Sequence, residues 1–124
     1  MRNKAILIVA HGSKVKETNL TMDLYMEALG EYAGDVILEK AYLQLMEPSV
    51  ETAIESLYEK GIKELVVFPF FLFKGNHILE DIPAVLEAQK MKYHDLSIQF
   101  LDNIGFDENI VKMIAKRVGL LWVI

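Results

Sequence analysis

The sequence predicts one α/β domain of the three-layer, flavodoxin-like type, built on a four-stranded parallel sheet. Two observations carry this prediction. Short runs of apolar, often β-branched residues alternate with longer segments whose apolar residues recur at helical spacing, and the connections between them are short. Strict alternation implies right-handed crossovers and helices on both faces of the sheet. No repeat or linker divides residues 1–124, so a single domain is expected.

The predicted strands are the most apolar short segments of the chain. The first covers residues 5–10 and is ended by His11 and Gly12. An unbroken apolar run of this length is typical of a parallel strand that is covered on both faces. Three further strands are predicted over residues 36–43, 65–68 and 96–101.

Four helices are predicted between and after these strands. They are expected over about residues 16–32, from Pro48 and Ser49 to just before Gly61, from about residues 80–83 onward, and over about residues 107–118. The remaining residues, 119–124, are almost wholly apolar but too few to anchor in a membrane. We expect them to pack on the domain or on a partner subunit.

Composition excludes several classes of function. A net charge of -5 and a pI near 5.2 argue against general nucleic-acid binding, which needs a concentrated basic face. Because the chain has no cysteine, any metal must be held by nitrogen and oxygen ligands. The apolar run before His11 is too short for a signal peptide or a membrane span, so a cytoplasmic protein is expected.

Two of the three histidines are predicted to meet at one edge of the sheet. Ligands of parallel α/β sheets bind beyond the carboxyl ends of the strands, where the winding direction reverses, usually between the first and third strands. His11 directly follows the first strand, and His77 lies in the loop after the third. His94 precedes the fourth strand at the opposite edge, and we interpret it as a solvated loop residue.

The loop after the first strand contains His11, Gly12, Ser13 and Lys14. Glycine lets the backbone come close to a ligand, and the nearby helix N-terminus offers amides and partial positive charge to an anion. A histidine before a glycine also occurs in ordinary turns. The place of His11 directly after a buried strand favours a functional site over an ordinary turn.

The loop after the third strand carries a similar set of groups, from Lys74 through Gly75 and Asn76 to His77. Asp81 follows at the start of a helix, where it is either a helix cap or a carboxylate that orients the His77 imidazole. If Asp81 is only a cap, His77 is an ordinary surface residue.

With these motifs in view, the chain resembles the short, single-domain sirohydrochlorin chelatases of the CbiX type, which do not depend on ATP. The resemblance runs almost end to end. Its most specific parts are Ala10-His11-Gly12-Ser13 and the run from Val67 to Leu72 followed by Gly75-Asn76-His77. Supporting parts are Glu47-Pro48-Ser49, Asp81-Ile82-Pro83 and Asn103-Ile104-Gly105-Phe106-Asp107.

The resemblance implies insertion of cobalt(II) or nickel(II), or iron(II) in related members, into sirohydrochlorin, on the way to cobalamin or a related tetrapyrrole. The counterparts of His11 and His77 bind the metal in that family. The metal is then a substrate, and no organic cofactor is expected. Two neutral imidazoles suit these borderline metals and leave coordination positions for pyrrole nitrogens.

A homodimer that encloses the flat macrocycle is also implied. The short chain makes a dimer an independent expectation, since a single small domain could enclose a large ligand only in a groove that spans much of the molecule or between two copies that face each other. The macrocycle's carboxylates require donors, for which Ser13, Lys14, Lys74 and Asn76 are candidates beside the backbone of Gly12 and Gly75.

Two residues depart from the family pattern. Lys14 stands where arginine is common, and Gln44 stands where many members carry a glutamate. The second departure removes a candidate base for the pyrrolic protons, which a histidine not yet holding metal could accept instead. A non-catalytic metal- or tetrapyrrole-binding protein is therefore the alternative. A phosphate- or nucleotide-binding module is disfavoured because the first loop has a single glycine.

Overall fold

In the computed structural model, residues 3–76 and 80–120 are described. These ranges contain a parallel α/β fold in which each strand begins and ends within one residue of its predicted bounds. The strands are β1 (Lys4–Ala10), β2 (Ile37–Tyr42), β3 (Glu64–Pro69) and β4 (Ser97–Phe100). The helices are α1 (Lys16–Ala33), α2 (Val50–Glu59), α3 (Ile82–Lys92) and α4 (Glu108–Arg117). His77 and the last four residues of the apolar ending lie outside the described residues.

The strand order within the sheet is β2-β1-β3-β4, and all neighbours are parallel. After β1 the chain moves to one side of the sheet, and after β3 it moves to the other. The winding direction therefore reverses between β1 and β3, which lie side by side at the centre with Val9 opposite Pro69. This arrangement confirms the predicted fold class and locates the expected ligand crevice at the carboxyl ends of these two strands.

One face of the sheet is closed by α2 and α3. Alternate residues of β1 point to this face, as the two-residue period of a strand requires. They meet the apolar stripe of α2, whose N-terminus is capped by the Ser49 hydroxyl accepting a hydrogen bond from the Thr52 amide at 3.1 Å. The buried cluster comprises Ala5, Leu7, Val9, Ala41, Val50, Ala53, Ile54, Leu57, Ile62, Leu65, Val67, Ile82, Leu86 and Leu96.

The opposite face is covered by α1, mainly over β1 and β2. Its buried cluster is small and consists of Ile8, Ala10, Met22 and Tyr42. A polar clamp adds to it: Lys40 of β2 donates to Asn19 and Asp23 of α1, both at 2.5 Å. Burial, the largest single influence, would lower the pKa of Lys40, but the hydrogen bond to Asp23 and the electrostatic attraction of Tyr42 and Asp23 together outweigh it, and the pKa is raised.

The part of this second face over β3 and β4 is less covered. The helix α4, all of whose residues are described, has no buried residue. No helix in the described ranges is both long and apolar enough to cross a membrane.

Candidate functional site

The loop after β1 is shaped by Gly12 and Ser13. His11 is exposed at the end of the strand, and Gly12 follows with a φ of +93°, a conformation that side chains other than glycine rarely adopt. The Ser13 hydroxyl oxygen then accepts hydrogen bonds from the Val15 amide at 2.8 Å and the Thr18 hydroxyl at 3.0 Å. Ser13 therefore organises the entry into α1, a role that the sequence prediction of a substrate contact did not include.

Gln44 lies directly beside this loop. The backbone amide of Gln44 donates to the carbonyl oxygen of His11 at 3.2 Å, and the Leu43 amide donates to Ala10 at 3.0 Å. A Cβ atom added to Gly12 would lie 1.9 Å from the Gln44 carbonyl oxygen. Gly12 is thus required for the close approach of two protein loops, whereas the sequence suggested only an approach to a ligand.

The loop that contains Gln44 turns sharply away from the sheet. Leu45 has a φ of +64°, which is unfavourable for a residue with a branched side chain, and the Met46 amide donates to the Gln44 carbonyl at 2.8 Å. The strained turn leaves Leu45 exposed next to the first loop. Strain of this kind is often concentrated at functional sites.

Phe71 brings the end of β3 against the first loop. Its ring lies edge-on to the His11 imidazole, with centroids 6.1 Å apart and planes at 89°. The Phe71 carbonyl accepts hydrogen bonds from the Ile104 amide at 2.8 Å and from the Asn103 side chain at 3.2 Å. The Asn103 amide also donates to Leu72 at 3.0 Å, so it fixes the start of the loop that leads toward His77.

Asn103 was part of the family resemblance but had no predicted role. Its positioning role could not be predicted from the sequence, because an asparagine after a strand is common in ordinary turns. Its contacts assign it a positioning role for the loop after β3.

The predicted carboxylate binders of the second loop are accessible. The Lys74 ammonium lies 3.7 Å from the Asp102 carboxylate, and both side chains are largely exposed. An exposed pair of this kind contributes little and exchanges readily for another anion. Gly75 and Asn76 are exposed, and no atom lies within 4 Å of a Cβ built on Gly75.

Asp81 stands at the N-cap position of α3, as one of its two interpretations expected, but it lacks the geometry of a capping side chain. Asp81 already has helical dihedral angles, φ -70° and ψ -49°, and its side chain accepts no capping hydrogen bond. Asp81 and Gln44 instead line a cleft of about 170 Å³ between the N-termini of α2 and α3. The alternative, that Asp81 orients His77, involves a residue outside the described ranges and stays a prediction.

His11, Gly12 and Ser13 line an open cavity of about 520 Å³ on the α1 side of the crevice. Lys14 lies in a neighbouring depression of about 420 Å³ together with Ser13 and Leu45. The structure therefore distributes the predicted residues over adjoining depressions of one edge. Residues of the His11 cavity that the sequence did not single out include Thr18, Thr21 and Tyr25.

Tyr25 and Phe70 form a wall of this cavity. Their rings are perpendicular, with an interplanar angle of 85° and centroids 4.9 Å apart. Phe70, the first residue after β3, thus faces the cavity, whereas Phe73 is exposed. Within residues 3–76 and 80–120, no three His, Asp or Glu side chains cluster as a potential metal site.

The fold belongs to the open parallel α/β class, whose members bind ligands at the carboxyl edge of the sheet. The exposed His11 lies in the switch-point loop at this edge. The sequence profile described as CbiX matches residues 5–120. The chain belongs to the CbiX family, which confirms the resemblance seen in the sequence.

Individual relatives agree with the family. The chain is 33% identical over 120 residues to the sirohydrochlorin cobaltochelatase of Saccharolobus solfataricus, and the match covers 92% of each chain. It is 32% identical over 113 residues to the chloroplastic sirohydrochlorin ferrochelatase of Arabidopsis thaliana, covering 91% of this chain and 50% of the relative.

A solved structure is similar throughout the fold. The sirohydrochlorin chelatase SirB from Bacillus subtilis subspecies spizizenii, in complex with cobalt, superposes with a TM-score of 0.87 at 30% identity. The match covers 95% of this chain and 50% of that one. The chain thus spans about half the length of SirB and of the Arabidopsis ferrochelatase, but nearly all of the Saccharolobus cobaltochelatase.

Proposed function

We propose that this protein is a sirohydrochlorin metal chelatase that inserts cobalt(II), or nickel(II), into the macrocycle during the biosynthesis of cobalamin or a related tetrapyrrole. The observation that carries the proposal is the match along nearly the whole length of a sirohydrochlorin cobaltochelatase. It is supported by the exposed His11 beside an open cavity at the switch point of the sheet. The cytoplasmic location expected from the sequence stays a prediction.

His11 and His77 are the proposed metal ligands. The His11 side is supported by its exposed place after β1, and the His77 side by the sequence alone. Two imidazoles hold a divalent ion through nitrogen while leaving positions that pyrrole nitrogens can fill. As the metal moves to the macrocycle, its bonds to imidazole are replaced by bonds to four ring nitrogens, and two pyrrolic protons leave.

Those protons need an acceptor. Gln44 lies next to His11, but an amide is not a base at neutral pH. An imidazole that has released its metal is therefore the proposed acceptor, directly or through water. Gln44 is then a hydrogen-bonding neighbour of the substrate.

The carboxylates of the macrocycle are proposed to bind the cations and donors around the edge. Lys14 is supported by its place in the depression beside Leu45, and Lys74 by an ion pair that is exposed enough to exchange. Backbone amides at Gly12 and Gly75, with Ser13 and Asn76, complete the proposed substrate contacts. Asp81 is proposed to orient His77.

A homodimer completes the proposal. The described residues form one sheet with one switch-point crevice, and a flat macrocycle presents two faces. A second copy in two-fold symmetry supplies the second wall.

The proposal is tested with purified protein, sirohydrochlorin and one of cobalt(II), nickel(II) or iron(II) under anaerobic conditions. The macrocycle absorbance is followed against the spontaneous rate without protein. Acceleration with one or more metals is expected, and the metal with the largest ratio is the preferred substrate. Tight macrocycle binding without acceleration by any metal would favour the non-catalytic alternative. The departures from the family pattern at Gln44 and Lys14 are the residues that favour this alternative.

A further inference from the structure

The His11 cavity contains a single carboxylate. Among the described residues that line it, Glu17 is the one acidic residue, and there is no lysine or arginine. Glu17 lies in the first turn of α1 and its side chain is exposed. Within residues 3–76 and 80–120, no cation is paired with its carboxylate. A carboxylate that no neighbouring cation neutralises gives the cavity a local negative charge.

The neighbouring depression, of about 420 Å³, has the opposite balance of charge. Lys14 and Lys16 line it, against the single carboxylate of Glu47 among its described lining residues. Ser13 lies on the boundary and lines both depressions. The carboxyl edge therefore offers a surface that favours a cation and a surface that favours an anion, side by side.

The start of α1 produces this division of charge. Successive residues of a helix point about 100° apart, so Lys16 and Glu17 line different depressions although they are adjacent in sequence. Thr21 and Tyr25 follow Glu17 at spacings of four residues and line the same cavity. Two hydrogen bonds to the Ser13 hydroxyl oxygen, at 2.8 and 3.0 Å, hold the chain where it enters the helix. The place of Glu17 beside the first loop is therefore fixed by the backbone.

The His11 cavity is large enough for a hydrated metal ion. An ion with its coordinated waters occupies roughly 200 Å³, since each water takes about 30 Å³. The cavity has about 520 Å³. His11 lines the same cavity as Glu17, so an ion that enters beside the carboxylate reaches the proposed imidazole ligand without first losing its hydration shell.

We propose that the His11 cavity is the entry path of the metal substrate and that Glu17 captures the ion there. This inference rests on the proposed function and assigns the route by which its metal arrives. One carboxylate oxygen of Glu17 replaces a coordinated water, and a nitrogen of His11 then replaces a second, without a change in the oxidation state of the metal. The carboxylates of the macrocycle bind across Ser13, at Lys14, so the cation and the polyanion approach from different sides.

Steady-state kinetics with saturating sirohydrochlorin and varied cobalt(II) test the capture. Glu17→Gln keeps the size of the side chain and removes its charge. It is expected to raise the KM for cobalt(II) about tenfold, the low end of what a charged cleft adds to association rates, and to leave kcat unchanged. Glu17→Asp keeps the charge and should restore most of the wild-type KM.

Two matched variants show whether the effect belongs to this cavity. Glu27→Gln makes the same change of charge on the same helix, outside the lining of the cavity, and should leave the KM for cobalt(II) unchanged. Lys14→Gln should give the opposite split, with a higher KM for sirohydrochlorin and an unchanged KM for cobalt(II).

Association of cobalt(II) without the macrocycle provides a measurement that needs no turnover. Stopped-flow competition with a fluorescent metal indicator gives the association rate, which is expected to be about tenfold slower in Glu17→Gln at low ionic strength. The difference should shrink as salt is added, because salt screens exposed charges. A carboxylate that only stabilises the first turn of its helix would not change this rate. Circular dichroism checks that the compared variants keep their helix content.

The outcomes separate this inference from the proposed function. In a protein that inserts cobalt, an equal KM for cobalt(II) in Glu17→Gln and wild type overturns the entry path and leaves the chelatase proposal intact. An equal rise of this KM in Glu27→Gln, or a lower kcat at unchanged KM, also overturns it. So does a wild-type association rate that does not depend on salt, whatever the fold of the variants. Slower cobalt(II) association in Glu17→Gln, in a protein that accelerates no insertion, supports the capture and contradicts the chelatase proposal.

Discussion

The two edges of the sheet use their polar side chains differently. At the amino edge, charged and aromatic groups satisfy one another: Asp95 accepts from the Tyr58 hydroxyl at 2.5 Å and pairs with Lys63 at 2.8 Å. The Tyr58 and Tyr93 rings are stacked with centroids 4.0 Å apart. At the carboxyl edge, backbone groups join the loops, while the His11 side chain faces an open cavity.

This difference shows where the fold accepts unfavourable geometry. The strained Leu45 and the close contact between Gly12 and Gln44 are both at the carboxyl edge. The amino edge has instead a mutually paired cluster whose members come from the end of α2, the connection between α2 and β3, and the connection between α3 and β4. One edge of the sheet is thus organised for a ligand and the other for its own stability.

The largest effect is expected from replacing His11 at the carboxyl edge with alanine, and the matched control is the same replacement of His94 at the amino edge. His11→Ala should reduce the metal-insertion rate by at least about 100-fold, since losing even an outer partner of a metal ligand commonly costs about 10- to 100-fold. His94→Ala, an exposed residue at the amino edge, should leave the rate unchanged. The measurement is the initial change in macrocycle absorbance above the spontaneous rate.

Full activity of His11→Ala would remove His11 from the proposed site. Equal losses in both variants would show that the chemistry is not confined to the carboxyl edge. Circular dichroism shows whether each variant keeps its fold, and titration of the folded variants with cobalt(II) then shows whether a metal ligand has been lost.

A second contrast concerns Gly12 and Gly61, which have nearly the same φ, +93° and +99°. Alanine at either position is strained by about 1–2 kcal/mol. Only at Gly12 does the new Cβ also collide with protein, at 1.9 Å from the Gln44 carbonyl, whereas nothing lies within 4 Å at Gly61. Forced rearrangement of packed atoms adds about 1–3 kcal/mol, so Gly12→Ala should be the more destabilising.

Urea unfolding of both variants measures this difference directly. Equal midpoints would mean that the loop of Gln44 moves aside without cost. In that case the two loops are not rigidly coupled, and Gly12 is needed for another reason.

The sequence predicted what depends on local pattern. Strand bounds followed from continuous apolar runs, and the neighbourhood of His11 followed from the rule that relates strand order to ligand position. The carbonyl of Gln44 against Gly12 could not be predicted, because it depends on how two loops far apart in sequence meet. The helix α4 was predicted close to its observed bounds, but the sequence pattern did not indicate that none of its residues would be buried.

The smallest expected effect concerns Asp95 at the amino edge and the dependence of its stabilising contribution on pH. The hydrogen bond from Lys63, and then that from Tyr58, lower the pKa of Asp95 from its ordinary value of 3.8 to about 2. Since the folded-state pKa is the lower one, the stabilising contribution of the Asp95 carboxylate is complete above about pH 4 and is lost as the pH falls toward 2. The contribution is small because the group is exposed and screened by solvent.

Asp95→Asn should therefore reduce the free energy of unfolding slightly at pH 7, and its difference from wild type should shrink between pH 4 and pH 2. Tyr58→Phe keeps the Lys63 pair and should retain part of this pH dependence. Urea titrations at a series of pH values provide the measurement. A difference that stays constant over this range would mean that Asp95 acts through packing, and the amino edge would then owe its stability to the stacked rings rather than to the charges around them.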